Sequence, residues 1–149
     1  MKNQPTLLSR FLYPALAFAI ALGVYLRTLC PTVYVGDSGE FITNAVTLGI
    51  NHPTGYPLYT ILGRLFVMML SWWSAAQAVN IVSALCCAGA VVCMYFASMQ
   101  LSVRPVIAFA IALFYAFSST LWSHATTAEV YPLSTLMVGL SVFAALRWY

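Results

Sequence analysis

Asp37 and Glu40 stand three residues apart in Asp37-Ser38-Gly39-Glu40, so on a helix their side chains project from one face. Two carboxylates held together at a membrane surface can act as a general base and its partner, or share a divalent metal. The same D-x-x-E spacing is that of a capping box, in which Asp37 caps a helix and Glu40 reaches back to its first N–H. Glu129, in Thr126-Thr127-Ala128-Glu129-Val130-Tyr131-Pro132, presents the same choice, because Thr126 and Glu129 repeat that spacing. Scarcity favours chemistry. The chain has only three acidic residues, and a charge at membrane depth costs roughly 2.5–3.5 kcal/mol.

His52 can bind a phosphate or move a proton, or it can be an ordinary exposed turn residue. Arg27 and Arg64 can pair with a lipid-linked phosphate through bidentate hydrogen bonds, or snorkel to the interface along their aliphatic stems. Asn80 lies in an apolar run, where an amide more commonly bonds between helices than to a substrate. Tyrosines and tryptophans near the ends of the runs read as interface anchors. The four cysteines, Cys30, Cys86, Cys87 and Cys93, form no C-x-x-C pattern, and three share one apolar run. They read as small buried side chains, not as a disulfide framework or a zinc site.

The elements that must position these residues belong to a membrane protein. Of 149 residues, 62% are hydrophobic and 6% charged, with mean hydropathy +0.90. A soluble domain carries about 25% charged residues. The basic residues are scattered, which gives no footprint for nucleic acid. Lys2 and Arg10 precede the first apolar run as in a signal peptide, but no A-x-A site follows, so the run reads as a retained anchor. The pattern predicts an all-α, multi-pass transmembrane bundle forming one membrane domain over 1–149, with spans at about 11–29, 76–99, 106–122 and 132–149.

Between the first two spans, Asp37 to Leu48 carries apolar residues at helical spacing, with Gly49 as its stop. His52-Pro53-Thr54-Gly55-Tyr56-Pro57 is a rigid turn, a glycine bracketed by two prolines. Leu58 to Trp73 is apolar but short and interrupted by Gly63 and Arg64. Pro105 suits the first position of the next helix. If Leu58–Trp73 lies in the interface, Lys2, Arg10, Arg104 and Arg147 fall on the cytoplasmic side with the N-terminus, as the positive-inside rule asks. Asp37, Glu40, His52 and Glu129 then share the outer face. If the segment spans, Glu129 faces the opposite side from the others.

The ordered set Pro31-Thr32, Asp37-Ser38-Gly39-Glu40-Phe41, His52-Pro53-Thr54-Gly55-Tyr56-Pro57-Leu58-Tyr59, Asn80 with Ser83-Ala84, and Ala128-Glu129-Val130-Tyr131 resembles a family of GT-C-like membrane glycosyltransferases. That family includes the animal endoplasmic-reticulum protein O-mannosyltransferase of plexin-type receptor domains. The likeness runs from about Arg27 to Val138. It implies juxtamembrane helices in the first outer loop, with Asp37 and Glu40 as the catalytic acids. It implies a polyprenyl- or dolichyl-phosphate sugar as donor, used with inversion, and a hydroxyl on a protein or glycan as acceptor. His52, Tyr56, Arg27, Arg64, Glu129 and Tyr131 are the expected substrate-binding residues. No cofactor is required; a divalent metal is compatible. The resemblance also leads us to expect this chain to be the N-terminal part of a longer protein, set among lipids of a bacterial inner membrane or the endoplasmic reticulum. The competing readings are a transporter or channel fragment, which would place polar groups at mid-span, and a non-catalytic membrane assembly subunit, which would need neither acid.

Overall fold

The computed structural model describes residues 8–148. Lys2 and Tyr149, which bear on the expected topology and on the end of the last expected span, lie outside them. Every described element is helical. A π-helical turn, Leu8–Leu12, leads into α1 (Tyr13–Arg27). Then follow α2 (Ser38–Thr47), α3 (Pro57–Met69), α4 (Ala75–Gln100), α5 (Pro105–Ala116), α6 (Ser119–Ala125) and α7 (Tyr131–Trp148).

The central post is α4, against which α1, α3, α5, α6 and α7 all pack. Its 26 residues make it about 39 Å long, some 9 Å more than a hydrocarbon core is thick. A capping box starts it: the Ser74 hydroxyl accepts from the Gln77 N–H while the Gln77 side chain receives the Ser74 N–H. Small residues let the neighbours close in. Ala17, Ala21, Ala84, Ala88, Ala108 and Ala112 are fully buried between α1, α4 and α5, as expected where association depends on close backbone approach. Gly63 serves the same end in the outer loop, because a Cβ there would stand 2.8 Å from the Cβ of Ala45 on α2.

Two or three segments are long and apolar enough to cross a membrane, fewer than the four expected. Arg10–Arg27 and Ala75–Gln100 qualify outright. The expected span 106–122 is two helices, α5 and α6, bent by 64° at a short break. Counted together as one broken span, they make the third. The Tyr25 hydroxyl of α1 donates to the Ala116 carbonyl at 2.7 Å, at the end of α5. The break thus has a buried partner for a carbonyl that a continuous helix would have satisfied. The segment expected at 132–149 forms α7, but Pro132, Ser134, Thr135, Ser141 and Arg147 dilute its apolar character below that of the other spans.

At 13 residues, α3 reaches about 20 Å, too short for a bilayer. Its buried face, with Tyr59, Thr60 and Gly63, turns toward α2 and α4. The end of α2 differs from the expected glycine stop. Leu48, not Gly49, takes the left-handed conformation, with φ of 56°. Gly49 is needed for space instead, since any Cβ there would collide with the Asn44 side chain.

Candidate functional site

The loop entering α2 is shaped by Gly36, whose φ of 82° is open to glycine at no cost, and by buried Ser38, whose hydroxyl accepts from the Tyr34 N–H. Asp37 occupies the cap position of α2 but its side chain makes no capping hydrogen bond. Only its backbone carbonyl serves the helix, accepting from the Phe41 N–H at 3.1 Å. Its carboxylate stands exposed at the helix start.

Glu40 does not reach back either. It crosses to the turn after α2, where one oxygen accepts the backbone N–H of His52 and the other lies 3.0 Å from His52 Nδ1. The capping-box reading of Asp37 and Glu40 is therefore not the one the fold adopts. The turn that presents His52 is fastened by Asn51, which is buried. The Asn51 amide accepts from Asn44 at 2.8 Å and donates to the Gly55 carbonyl and the Thr60 hydroxyl. Gly55, at φ of 87°, gives the turn its bend. Phe41 packs edge-on against Tyr56 and Tyr59, and its ring also meets that of His52.

Glu129 arrives from the far end of the chain, between α6 and α7. A Cβ on Gly36 would stand 3.9 Å from its Oε1; the charge of Asp37 acts on it, and its own charge acts on His52. Glu129 thus lies at the same end of the bundle as the other acids, which excludes the arrangement in which Leu58–Trp73 spans and separates them. The Thr126 hydroxyl donates to the Ser123 and Trp122 carbonyls of α6, so its contacts are with the preceding helix and not with Glu129.

Proximity sets the protonation states. The hydrogen bond with the His52 side chain, followed by the one from its backbone, holds the Glu40 carboxyl below the usual carboxylate range. The same bond holds the His52 imidazole above its ordinary value, with Asp37 and Glu129 adding in the same sense. Partial burial pushes the Glu129 carboxyl up, and the negative charge of Asp37 adds to this. Asp37, Glu40 and His52 offer two carboxylates and an imidazole within 4.8 Å of one another. A divalent ion that takes mixed oxygen and nitrogen donors suits such a set, though it would have to displace the bond between Glu40 and the ring.

A pH dependence follows. The Glu40 contribution to the pair is present above its ordinary 4.5 and is lost as pH falls through its lowered folded value. The His52 contribution is fully present below its ordinary 6.5 and is lost as pH rises through its raised value. Histidine-selective NMR of the protein should show His52 titrating above 6.5, with the midpoint falling in Glu40→Ala. A His52 midpoint at or below 6.5 in the unsubstituted protein would show that the pair does not form.

The residues outside this group have other partners. Arg64 Nη1 donates to the Val46 carbonyl at 2.7 Å, near the end of α2, where a cation also complements the helix dipole. Arg27 is exposed at the end of α1. Tyr131 is exposed, and its ring packs on that of His124 at 5.0 Å. Asn80 bonds not to a neighbouring helix but to a loop, donating to the Cys30 carbonyl at 2.8 Å. Of the expected site residues, the fold brings together Asp37, Glu40, His52, Tyr56 and Glu129. Sequence reasoning missed Asn51 and His124. Asn51 directly before the bracketed turn was the available signal, whereas nothing in the sequence ties His124 to Tyr131 across a helix end.

Residues 37–149 match the family described as the Protein O-mannosyl-transferase TMEM260 N-terminal domain. The chain belongs to this family. The matched region takes in both acids of α2, the turn with His52, and Glu129, so the residues that converge are all within the TMEM260 N-terminal domain. The chain is 35% identical over 131 residues to a mouse protein named Protein O-mannosyl-transferase TMEM260, a stretch that is 88% of this chain and 19% of that protein. It is 28% identical over 128 residues to a Dictyostelium discoideum protein of the same name, covering 85% of this chain and 16% of that protein. The chain therefore spans less than a fifth of the length of these relatives. No solved structure matches it.

Proposed function

We propose that this chain is the acid-bearing, donor-side part of a membrane glycosyltransferase that moves a mannose-like sugar from a polyprenyl- or dolichyl-phosphate carrier to a hydroxyl, on protein serine or threonine in the first instance. The observation that carries the reading is the convergence of all three acidic residues of the chain with His52 at one end of the bundle, where neither acid of α2 serves as a cap. A structural subunit needs no such group. A conduit would place charged groups through mid-span, whereas all three acids and His52 gather at one end.

The environments divide the roles. Glu40 is committed to His52 and kept ionised, which makes it a poor proton acceptor and a good anchor. Asp37 is exposed and its carboxylate is free of the helix, so it takes the proton of the acceptor hydroxyl as that oxygen attacks the sugar C1. The bond from C1 to the phosphate oxygen breaks on the opposite face with inversion, and its electron pair leaves with the lipid phosphate. His52, cationic over the range where the pair with Glu40 holds, meets the growing negative charge of the leaving phosphate. Glu129 and Tyr131 orient sugar or acceptor, Tyr56 borders the His52 ring, and Arg27 and Arg64 mark the interface where the lipid phosphate would enter. The acids then face away from the cytoplasm, with the N-terminus and Arg104 on the cytoplasmic side.

The test uses the full-length protein in lipid, supplied with a radiolabelled polyprenyl-phosphate mannose and a serine-containing acceptor domain. Transfer giving an α-linkage from a β-linked donor is the expected result. Transfer from a soluble sugar nucleotide in place of the lipid donor, or no transfer to any hydroxyl acceptor, would overturn the reading.

A further inference from the structure

Asn80 and Ser83 sit three residues apart, on one face of α4, and both are fully buried. Each holds a different piece of the acid cluster. The Asn80 amide donates to the carbonyl of Cys30 at 2.8 Å, at the root of the loop that leads to Asp37. The Ser83 hydroxyl accepts from the backbone N–H of Glu129 at 3.5 Å and shares a hydrogen bond of 3.2 Å with the hydroxyl of buried Tyr59 on α3. A second set of bonds ties the same two strands of chain directly. The Cys30 N–H donates to the Thr126 carbonyl at 3.0 Å, and Trp122 Nε1 donates to the Thr28 hydroxyl at 2.9 Å.

The chemistry of Asn80 argues that this contact is not incidental packing. Its Oδ1 is buried and accepts no hydrogen bond among the described residues. Burying an amide with its acceptor unsatisfied is unfavourable, and a leucine of similar volume would avoid the penalty. What asparagine supplies, and leucine cannot, is the N–H that fixes Cys30. The pair stands about 7.5 and 12 Å along α4 from its first residue, in the half of the helix nearest the acid cluster.

We infer that Asn80 and Ser83 form a hub on α4 that sets the separation between the Asp37 loop and the Glu129 segment, and so act as positioning residues for the transfer reaction. This rests on the proposed roles of Asp37 and Glu129. The hub touches no reacting atom; it fixes two backbones, the one that leads to Asp37 and the one that carries Glu129. An error of about 1 Å in such a placement can cost on the order of a hundredfold in rate.

The experiment measures spacing and rate separately, in the full-length protein in lipid. Spin labels are placed on Val35→Cys and Ser123→Cys, both exposed positions, after Cys30, Cys86, Cys87 and Cys93 and any cysteine in the rest of the full-length protein are replaced by serine or alanine. Asn80→Leu and Ser83→Ala are compared with the parent; the second is a small deletion that keeps the protein folded if the first does not. The expected result is a narrow distance distribution in the parent that broadens in both variants. With it, kcat falls roughly ten- to a hundredfold while the donor KM stays within about twofold, because uniform substrate binding is untouched. An unchanged distribution together with unchanged kcat would overturn the hub, as would a change in KM alone. Asp37→Asn run alongside separates the two levels: if it transfers sugar at the parent rate, the role of Asp37 falls, while the distance distributions still decide whether the hub sets the spacing.

Discussion

Asp37→Asn in the full-length protein is expected to leave a folded protein whose transfer rate is lower by roughly 10²–10⁴. A cap needs only a hydrogen-bond acceptor, so replacing a capping aspartate with asparagine is mild. Here even that small loss is absent, because the Asp37 side chain makes no capping bond and only its carbonyl serves α2. Thermal unfolding of the variant should match the parent. A general base is different. It must take up a proton in the transition state, and an amide cannot. The defect should appear in kcat and kcat/KM together, the signature of an interaction made only in the transition state. A loss of stability without a specific loss of rate would return Asp37 to a structural role, and full activity would remove it from the mechanism.

The parts of the fold legible in the sequence were those fixed locally. The apolar run of α4, the proline that opens α5 and the short run at Leu58–Trp73 all carry their signal within one segment. The break between α5 and α6 does not. Val106–Trp122 contains neither proline nor glycine, and a partner for the Ala116 carbonyl comes from Tyr25, on a helix far away in sequence. The candidate site shows the same division. Scarcity pointed to Asp37, Glu40 and Glu129, and the turn pointed to His52. The D-x-x-E spacing fitted two structures equally well, and what decided between them was a contact from Glu40 to a residue outside its own helix. Arg64 could be read only as a cation near an interface until the fold brought the carbonyl of Val46 to it. The Asn80 contact with Cys30 likewise joins residues far apart in the chain, 50 positions from one another. Local rules state what a residue is able to bond. They do not state which of several able partners arrives.

Glu40 should respond to substitution differently from Asp37, and the difference assigns the base. In Glu40→Gln the carbonyl oxygen of the new amide can still accept the His52 backbone N–H, and its NH2 can donate to a neutral ring nitrogen. The turn stays in place, the charge is gone, and the His52 titration moves back toward its ordinary 6.5, since the bond to the carboxylate is the main cause of its raised value. Transfer activity is expected to stay within roughly tenfold of the parent at a pH where His52 remains protonated, because the amide oxygen still accepts the His52 backbone N–H and holds the turn even where the bond to the ring is lost. Glu40→Ala removes both bonds at once. The turn then keeps the Asn51 bonds and the one from the Gly55 N–H to the His52 carbonyl, but no hydrogen bond among the described residues holds the His52 ring toward Asp37, and the rate should fall by about a hundredfold through misplacement of His52. A base at Glu40 would give another pattern: glutamine and alanine would be equally inactive, and Asp37→Asn would be tolerated. Measuring kcat for the three variants at matched expression, with the His52 titration for each, tells the two arrangements apart. Glu40→Gln as inactive as Glu40→Ala, with His52 still in its turn, would transfer the base from Asp37 to Glu40.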